Sequence, residues 1–247
     1  MTGALTWWML AGAGVLVVAA ALVIVAARAR RAGRGDVTSA GITLAVAVVS
    51  AAIAVIGGIV AATATLLQPE VAITIPVREF WPPLPEGTEI EGATAMRAGG
   101  GFTSATIVAS GLSLGARVRW AIGQALAWFV PGAVAALVAM ACLQLRRGRP
   151  FAPVLARLTM VVAVVVAVGG TAAQVLGDVA GSMASHELLA WTGAQWTGDV
   201  GPETLLPSPT LLIELPFWPI GAGLGLAALA AVLRQGDRLA RDTEGLV

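Results

Sequence analysis

Lysine and tyrosine are absent from the 247-residue sequence, and cysteine and histidine occur once each. The single cysteine, Cys142, excludes an internal disulfide. His186 is the only histidine, which is too few to build a metal site from His and Cys ligands. The formal net charge of +1 excludes the broad basic field of a nucleic-acid-binding protein, so we expect no direct contact with nucleic acid.

Charged residues are also scarce, at 12% of the chain, whereas apolar residues make up 57%. Soluble domains carry about 25% charged residues, so this composition indicates an integral membrane protein. Arg supplies all fifteen basic residues, a bias typical of high-GC bacterial genomes.

Five segments are apolar over the roughly 20 residues that a membrane-spanning helix needs. They are 7–27, 41–67, 121–145, 158–180 and 211–233. The first has four arginines after it and no basic residue before it, the reverse of a secretory signal, so we interpret it as a retained anchor. The sequence therefore predicts an all-α polytopic membrane protein with five transmembrane helices.

Arginine is distributed unevenly between the two sets of loops. One set holds eleven Arg against four acids, and the other holds four Arg against ten acids. Arg concentrates in short cytoplasmic loops. We therefore expect a multi-pass protein of the bacterial cytoplasmic membrane, with the N-terminus outside, the C-terminus in the cytoplasm and the lipid bilayer as its first partner.

The third and fifth spans resemble each other at an offset of 88 residues. The matched pairs are Phe129 and Phe217, Pro131 and Pro219, Leu145 and Leu233, Arg146 and Arg234, and Gly148 and Gly236. The paired prolines are predicted near the outer helix ends and the paired glycines as helix stops. Chance similarity between apolar helices is the alternative to duplication.

Duplication would divide the chain into an anchor at 1–40, a first repeat at 41–148 and a second repeat at 149–247. Each repeat would be a helix–loop–helix unit, and the two would have the same orientation. Gly221 and Gly225 have the spacing typical of close helix packing.

Two outer loops are predicted, 68–120 and 181–210. Within the first, 71–77 and 103–120 are β-branched and partly alternating, which predicts strands. A lone hairpin is marginal in water. We therefore expect this strand-rich loop to rest on the second loop or on the membrane surface.

Several polar residues are predicted at the outer ends of the spans. Ionisable residues in spans are candidates for function, and Gln174 and Asp178 share a helix face. This polar cluster, a candidate ligand-binding cavity, comprises Arg117, Arg119, Gln124, Gln174, Asp178 and Glu214. The alternative is that these groups form interhelical hydrogen bonds or are simply solvated.

The sequence lacks the common motifs of catalytic and phosphate-binding sites. The sequence has no phosphate loop, no H-E-x-x-H helix and no nucleophile elbow. The single His and Cys are predicted on opposite sides of the membrane, so they do not supply a base with a nucleophile or metal. We expect no catalytic activity, no metal and no cofactor.

Two segments predicted to be cytoplasmic, RRGRPFAPVLARL (146–158) and VLRQGDRLARDTEGLV (232–247), resemble an uncharacterised bacterial membrane family, domain of unknown function 2975. The resemblance covers roughly 40–247. It implies four helices, an inner Gly-x-Pro-Phe loop and a terminal Arg-x-Gly-x-x-Leu, here Gly148, Pro150, Phe151, Arg234, Gly236 and Leu239. It implies no known activity. Families of this kind are often encoded beside small helix-turn-helix regulators, which suggests a signalling role.

Two hypotheses follow. The first is a sensor or regulator that senses outside and holds a cytoplasmic partner, for which a helix-turn-helix regulator is a candidate. The predicted partner-binding residues are Arg146, Arg149, Phe151, Arg238, Leu239, Arg241, Leu246 and Val247. The second is a small transporter, or a transporter subunit, that uses the polar cluster. The sequence leaves the oligomeric state open.

Overall fold

The computed structural model describes residues 35–84, 87–88, 91–95, 97–149, 151–195 and 201–244. The predicted first span, 7–27, and the arginines that follow it lie outside these residues. The described part is mostly helical. Its elements are α1 (Gly35–Leu67), β1 (Glu70–Phe80), β2 (Phe102–Ser110), α2 (Leu114–Arg146), α3 (Pro153–Val164), α4 (Gly170–Leu189), α5 (Pro202–Leu205) and α6 (Trp218–Glu244).

Four helical segments in the described part of the chain are long and apolar enough to cross a membrane. They are Gly41–Leu67, Leu114–Arg146, Pro153–Leu189 and Trp218–Leu239. The third runs through α3 and α4, which a π-helical turn at Val165–Gly169 joins. Large aliphatic side chains remain exposed on these helices, as at Ile56 (62%) and Leu224 (67%). Such exposure is costly in water and typical of a chain that faces lipid.

The predicted second strand is wrong beyond Ser110, where β2 ends. Gly111 then takes a positive φ of 76°, a turn conformation that suits Gly. The Ser113 hydroxyl accepts a hydrogen bond from the Ala116 amide at 3.2 Å and so caps a new helix. Helix α2 therefore begins at Leu114, earlier than the predicted span.

The predicted fifth span is displaced along the chain. Residues 211–217 are not helical, and α6 begins at Trp218. Pro216 disfavours helical backbone at the residue before it, whereas Pro219 is tolerated in a first helical turn. Glu214 therefore lies ahead of α6, not within it.

The paired prolines and glycines of the spans take different structural roles. Pro131 lies well inside α2, contrary to its predicted place near a helix end, whereas Pro219 lies in the first turn of α6. Gly148 follows α2 with φ 69° and is a helix stop, as predicted. The same prediction is wrong for Gly236, because α6 continues through it to Glu244.

The structure separates into two compact units. The first takes in the described part of Met1–Val60, Ala125–Ala172 and Pro216–Val247. Its core contains Val130, Leu137, Leu155, Val162 and Val166, against which Leu226 and Leu233 pack. Small residues bring the backbones close. A Cβ added to Gly132 would lie 2.7 Å from Ala54 Cβ, and one added to Gly223 would lie 2.8 Å from the Ala163 carbonyl oxygen.

Among the described residues, the glycine of the last span that closely approaches a neighbour is Gly223, which lies between the predicted pair. Gly221 and Gly225 have no atoms within 4 Å of an added Cβ among the described residues, whereas Gly223 between them makes the contact. Spacing alone identifies small residues, but the helix rotation decides which of them meets a neighbour.

The second unit comprises Ala61–Gln124 and Ala173–Leu215. Strands β1 and β2 pair antiparallel in it, and Val71, Ile73, Ile75 and Val77 of β1 pack with Ala180 and Ala184 of α4. A Cβ on Gly181 would overlap the Thr74 carbonyl oxygen, so the sheet lies directly on the α4 backbone.

The strand-rich segment is supported by the later loop, as expected. Val77 forms a β-bridge with Pro209, and the Arg78 amide donates to the Ser208 carbonyl at 2.9 Å. The Trp120 indole N–H also donates to the Ala72 carbonyl at 3.1 Å. The two-stranded sheet therefore does not stand alone, which agrees with the marginal stability of an isolated hairpin.

Candidate functional site

Arg117 of the polar cluster binds the end of α1. Its Nε and Nη2 donate to the Thr65 carbonyl at 3.0 and 2.8 Å, and Nη2 also donates to the Gln68 carbonyl. The last carbonyls of a helix have no partner within the helix, and a cation there is favourable. Arg117 is thus a cap for α1.

Asp178 is the centre of a second group. One carboxylate oxygen accepts from Gln174 Nε2 at 2.8 Å, and the other accepts from the Glu214 backbone amide at 2.9 Å. Glu214 thus contributes its main chain to this contact. The structure brings Gln174, Asp178 and Glu214 together through hydrogen bonds within the protein.

Arg119 and Gln124 make fewer contacts. Arg119 Nη1 donates to the Gly115 carbonyl of its own helix at 2.9 Å. Gln124 is half-buried and has no side-chain hydrogen bond within the part of the chain that the structure describes. The six residues therefore divide into a helix cap, an aspartate-centred group and two peripheral side chains.

Serines outside the predicted polar cluster make further contacts in this unit. Ser113 donates to the Glu187 carboxylate through its amide at 2.8 Å and its hydroxyl at 2.5 Å. The Ser185 hydroxyl donates to the Pro76 carbonyl at 2.6 Å. Only Ser113 carries a sequence signal, because Ser is a preferred N-cap. Within the described ranges, no cluster of His, Cys, Asp and Glu has the size of a metal site.

The first unit contains the α2–α3 loop, residues 147–152, which includes predicted partner-binding residues. Two nested backbone hydrogen bonds close the end of helix α2. The Gly148 amide donates to the Leu145 carbonyl and the Arg149 amide donates to the Gln144 carbonyl, each at 3.0 Å. This pattern with a positive φ at Gly148 is a Schellman motif. The loop backbone is therefore anchored to the last turn of α2.

The two segments that carry the family resemblance meet in this unit. Phe151 lies against Gly236 of α6, where an added Cβ would come within 2.6 Å of Phe151 Cδ1. Phe151 is nevertheless 44% exposed. The α2–α3 loop therefore contacts the last helix, although the two segments are far apart in the sequence.

An open cavity of about 500 Å³ lies beside the α2–α3 loop. Its lining residues are Gln144, Arg147, Arg149, Ala152, Pro153 and Val154. Both arginines are exposed, and none of the described lining residues is acidic. The cavity can therefore receive an anionic group.

The other predicted partner-binding residues lie at the same helix ends. Arg146 closes α2, and Arg238 and Leu239 are exposed near the end of α6, Leu239 at 59%. The side chain of Arg241 and the residues Leu246 and Val247 lie outside the described part.

Known protein families, curated proteins and solved structures yield no match to this chain. The function must therefore be inferred from the chain's own residues and contacts.

Proposed function

We propose that this chain is a non-enzymatic sensor or regulator of the bacterial cytoplasmic membrane. In this proposal the protein crosses the membrane several times, with its N-terminus outside and its C-terminus in the cytoplasm. The strand-rich segment receives an external signal, and the α2–α3 loop with the end of α6 holds a cytoplasmic partner. A small helix-turn-helix regulator is the candidate partner.

The contact of Phe151 with Gly236 is the observation that carries the proposal. It joins the two elements predicted to bind a partner. Four of the predicted partner-binding residues on these elements are exposed: Arg146, Arg149, Phe151 and Leu239. Aromatic and arginine side chains are enriched in protein interfaces. The resemblance to domain of unknown function 2975 supports the same assignment, because its two motifs are the two elements in contact.

The transporter alternative requires the polar cluster to bind a ligand. Asp178 already accepts hydrogen bonds from Gln174 and Glu214, and Arg117 is engaged with α1. These contacts are those expected of groups that hold helices and loops together. We therefore prefer the regulator.

Photo-crosslinking in living cells tests the proposal. A photoreactive phenylalanine analogue would replace Phe151 in the full chain, and a matched control would replace Phe102, which is also exposed. We expect a cytoplasmic protein to crosslink at position 151 and not at position 102. The adduct should disappear when residues 237–247 are removed.

An adduct of equal intensity at both positions would contradict the proposal. So would a protein that inserts normally and yields no protein adduct at position 151. Insertion is checked separately by membrane fractionation of each variant.

A further inference from the structure

We propose that the free edge of β2 binds an extended peptide, which adds to the β1–β2 sheet as a third, antiparallel strand. The peptide that fits has an uncharged, β-branched centre, a basic group near its N-terminus and an acidic group near its C-terminus. That this peptide is the external signal rests on the proposed function, whereas its binding to β2 does not.

The edge of β1 that faces away from β2 is already covered. The Ala72 carbonyl accepts a hydrogen bond from the Trp120 indole at 3.1 Å. The Pro76 carbonyl accepts one from a serine hydroxyl of α4 at 2.6 Å, and the Thr74 carbonyl lies against the Gly181 backbone of α4. This edge of the sheet therefore has no room for a further strand.

The same carbonyls show which β2 residues point to the free edge. Successive residues of a strand direct their backbone N–H and C=O groups to opposite edges. Because Ala72, Thr74 and Pro76 turn away from β2, the residues directly opposite them turn away from β1. These residues are Val108, Thr106 and Ser104. Their outward backbone groups have no hydrogen-bond partner among the described residues, so they can pair with another strand.

Strand β2 lacks the features that usually protect an exposed sheet edge. Edge strands of natural proteins commonly carry Lys or Pro, contain a bulge or lie beneath another segment. The sequence of β2, FTSATIVAS, has neither charge nor proline, and its register with β1 is unbroken from Ser104 to Ser110. Val108 is 68% exposed. Extended peptides add to open, uncharged edges of this kind.

The inner face of the sheet is incomplete at β2. Ile73 and Ile75 of β1 are buried in the core that includes α4. Ile107 lies opposite Ile73 on the same face, yet it is only half-buried. Ala105, opposite Ile75, is exposed. A third strand beside β2 brings its own apolar side chains against Ile107 and removes this surface from water.

Opposite charges mark the two ends of β2. Near its start, Arg97 donates to the Gly100 carbonyl and lies 5.0 Å from the centroid of the Trp81 ring. Beyond its other end, Glu187 accepts from the Ser113 amide at 2.8 Å. Both charged side chains are exposed. A peptide with a base near its N-terminus and an acid near its C-terminus complements these charges only when it runs antiparallel to β2, which is also the more stable pairing.

A second copy of the chain fits this edge less well. Strand β1 contacts first Gly181 and then Ser185 along α4, so β1 runs in the direction of α4 and β2 runs in the opposite direction. Copies that cross one membrane in the same orientation have β2 strands that point the same way, so these strands cannot pair antiparallel. A parallel pair would set Arg97 beside the Arg97 of the other copy, which like charges disfavour.

Binding of a synthetic peptide to the purified full chain in detergent tests the inference. The probe alternates Thr and Val, with Lys at its acetylated N-terminus and Glu at its amidated C-terminus, so that only these two side chains are charged. A control probe has Lys and Glu exchanged. Fluorescence anisotropy of the labelled probes measures affinity, and hydrogen exchange of the β2 amides measures where the probe lies.

We expect the probe to protect the outward amides of Ser104, Thr106 and Val108 from exchange. The amides of Ala105 and Ile107 face β1, so their exchange should change little. The control probe should bind about fivefold more weakly, because each of its charges meets a like charge when it runs antiparallel to β2.

Thr106→Pro tests the edge itself, and Thr106→Ala is its matched control. Both lose the hydroxyl contact with Thr74 at 3.0 Å, and only the proline lacks the outward N–H. Thr106→Pro should weaken probe binding by about fivefold or more and Thr106→Ala by less than about twofold. Unchanged exchange at Ala105 and Ile107 shows that the sheet remains folded. A second variant, Val108→Lys, keeps every backbone group and should also weaken binding, because a lysine protects an edge.

Equal weakening by Thr106→Pro and Thr106→Ala, equal affinity for the two probes, or no binding of either probe overturns the inference. Dimers of the chain that protect the same three amides without the probe assign the edge to a second copy and overturn it as well. Crosslinking at position 151 does not depend on the probe, so this inference and the proposed function fail separately.

Discussion

The ring of Phe151 occupies the space that a side chain at position 236 would need. A Cβ built on Gly236 would come within 2.6 Å of Phe151 Cδ1 and 2.9 Å of Cε1. Gly236 is thus an interior residue of α6 that lets the α2–α3 loop approach the helix backbone.

This contact predicts opposite effects for two glycines of the same helix. The free energy of unfolding of Gly236→Ala should be lower than that of Gly225→Ala by about 1–3 kcal/mol. The first substitution must displace the ring, whereas the second meets no other described residue within 4 Å. Gly225→Ala should itself raise stability by about 0.5–1 kcal/mol. Thermal unfolding in detergent measures both. In a Phe151→Ala background the two substitutions should have the same effect, and an equal effect in the unchanged chain would argue against the contact.

Because Arg117 caps α1, we predict that its replacement lowers stability more than replacement of its neighbour Arg119. Arg117→Ala should lower the free energy of unfolding by about 1.5–3 kcal/mol, because it removes charged donors from the carbonyls of Thr65 and Gln68. Arg119→Ala should stay within about 0.5 kcal/mol, since its hydrogen bond is to its own helix. The thermal unfolding temperature and amide exchange in the last turn of α1 report the difference. Unchanged exchange in Arg117→Ala would refute the capping role.

The hydrogen bonds of Asp178 separate the two functional hypotheses. Asp178→Asn should lower the free energy of unfolding by about 1–2 kcal/mol, because an NH2 donor replaces one of the two acceptor oxygens. Glu214→Gln should be within about 0.5 kcal/mol, because this contact uses only the Glu214 backbone. The transporter hypothesis instead predicts that both changes abolish uptake or ligand-dependent stabilisation. Stability and uptake measured on the same pair of variants decide between them.

The close approach of the sheet to α4 predicts a local effect at Gly181. Gly181→Ala should cost about 1–3 kcal/mol and loosen the β1–β2 sheet, because the new methyl group would overlap the Thr74 carbonyl. Gly193→Ala is the control, since Gly193 has open space around it among the described residues. Limited proteolysis should cut the 81–101 connection faster in Gly181→Ala alone. Equal cleavage of the two variants would show that the sheet does not depend on this contact.

Much of the helical core and the first strand could be predicted from local pattern. An apolar run such as 41–67 is long enough to span a membrane wherever it packs, and β-branched alternation at 71–77 favours a strand in any fold. The starts of α2 and α6 were harder, because a cap at Ser113 and a proline at 216 act over one or two residues and hydropathy averages over many.

The candidate sites depended on contacts distant in sequence. Gly148 and Gly236 occupy matched positions, yet one ends a helix and the other accommodates an aromatic ring. The role of Gly148 follows from local sequence, because Arg and Pro come directly after it in the chain and Gly is the usual residue at a helix stop. The glycine at 236 is explained only by Phe151, which reaches it from 85 residues away in the chain.

Composition and apolar periodicity alone established that the chain is rich in helices able to cross a membrane, because the cost of exposing apolar surface to water is additive along the sequence. The tertiary structure decided which small residues meet, what Asp178 and Arg117 bind, and where a cavity opens beside the α2–α3 loop. Each of these depends on helix rotation and on backbone direction at a few turns. Those features are set by packing between segments, and no single segment encodes them.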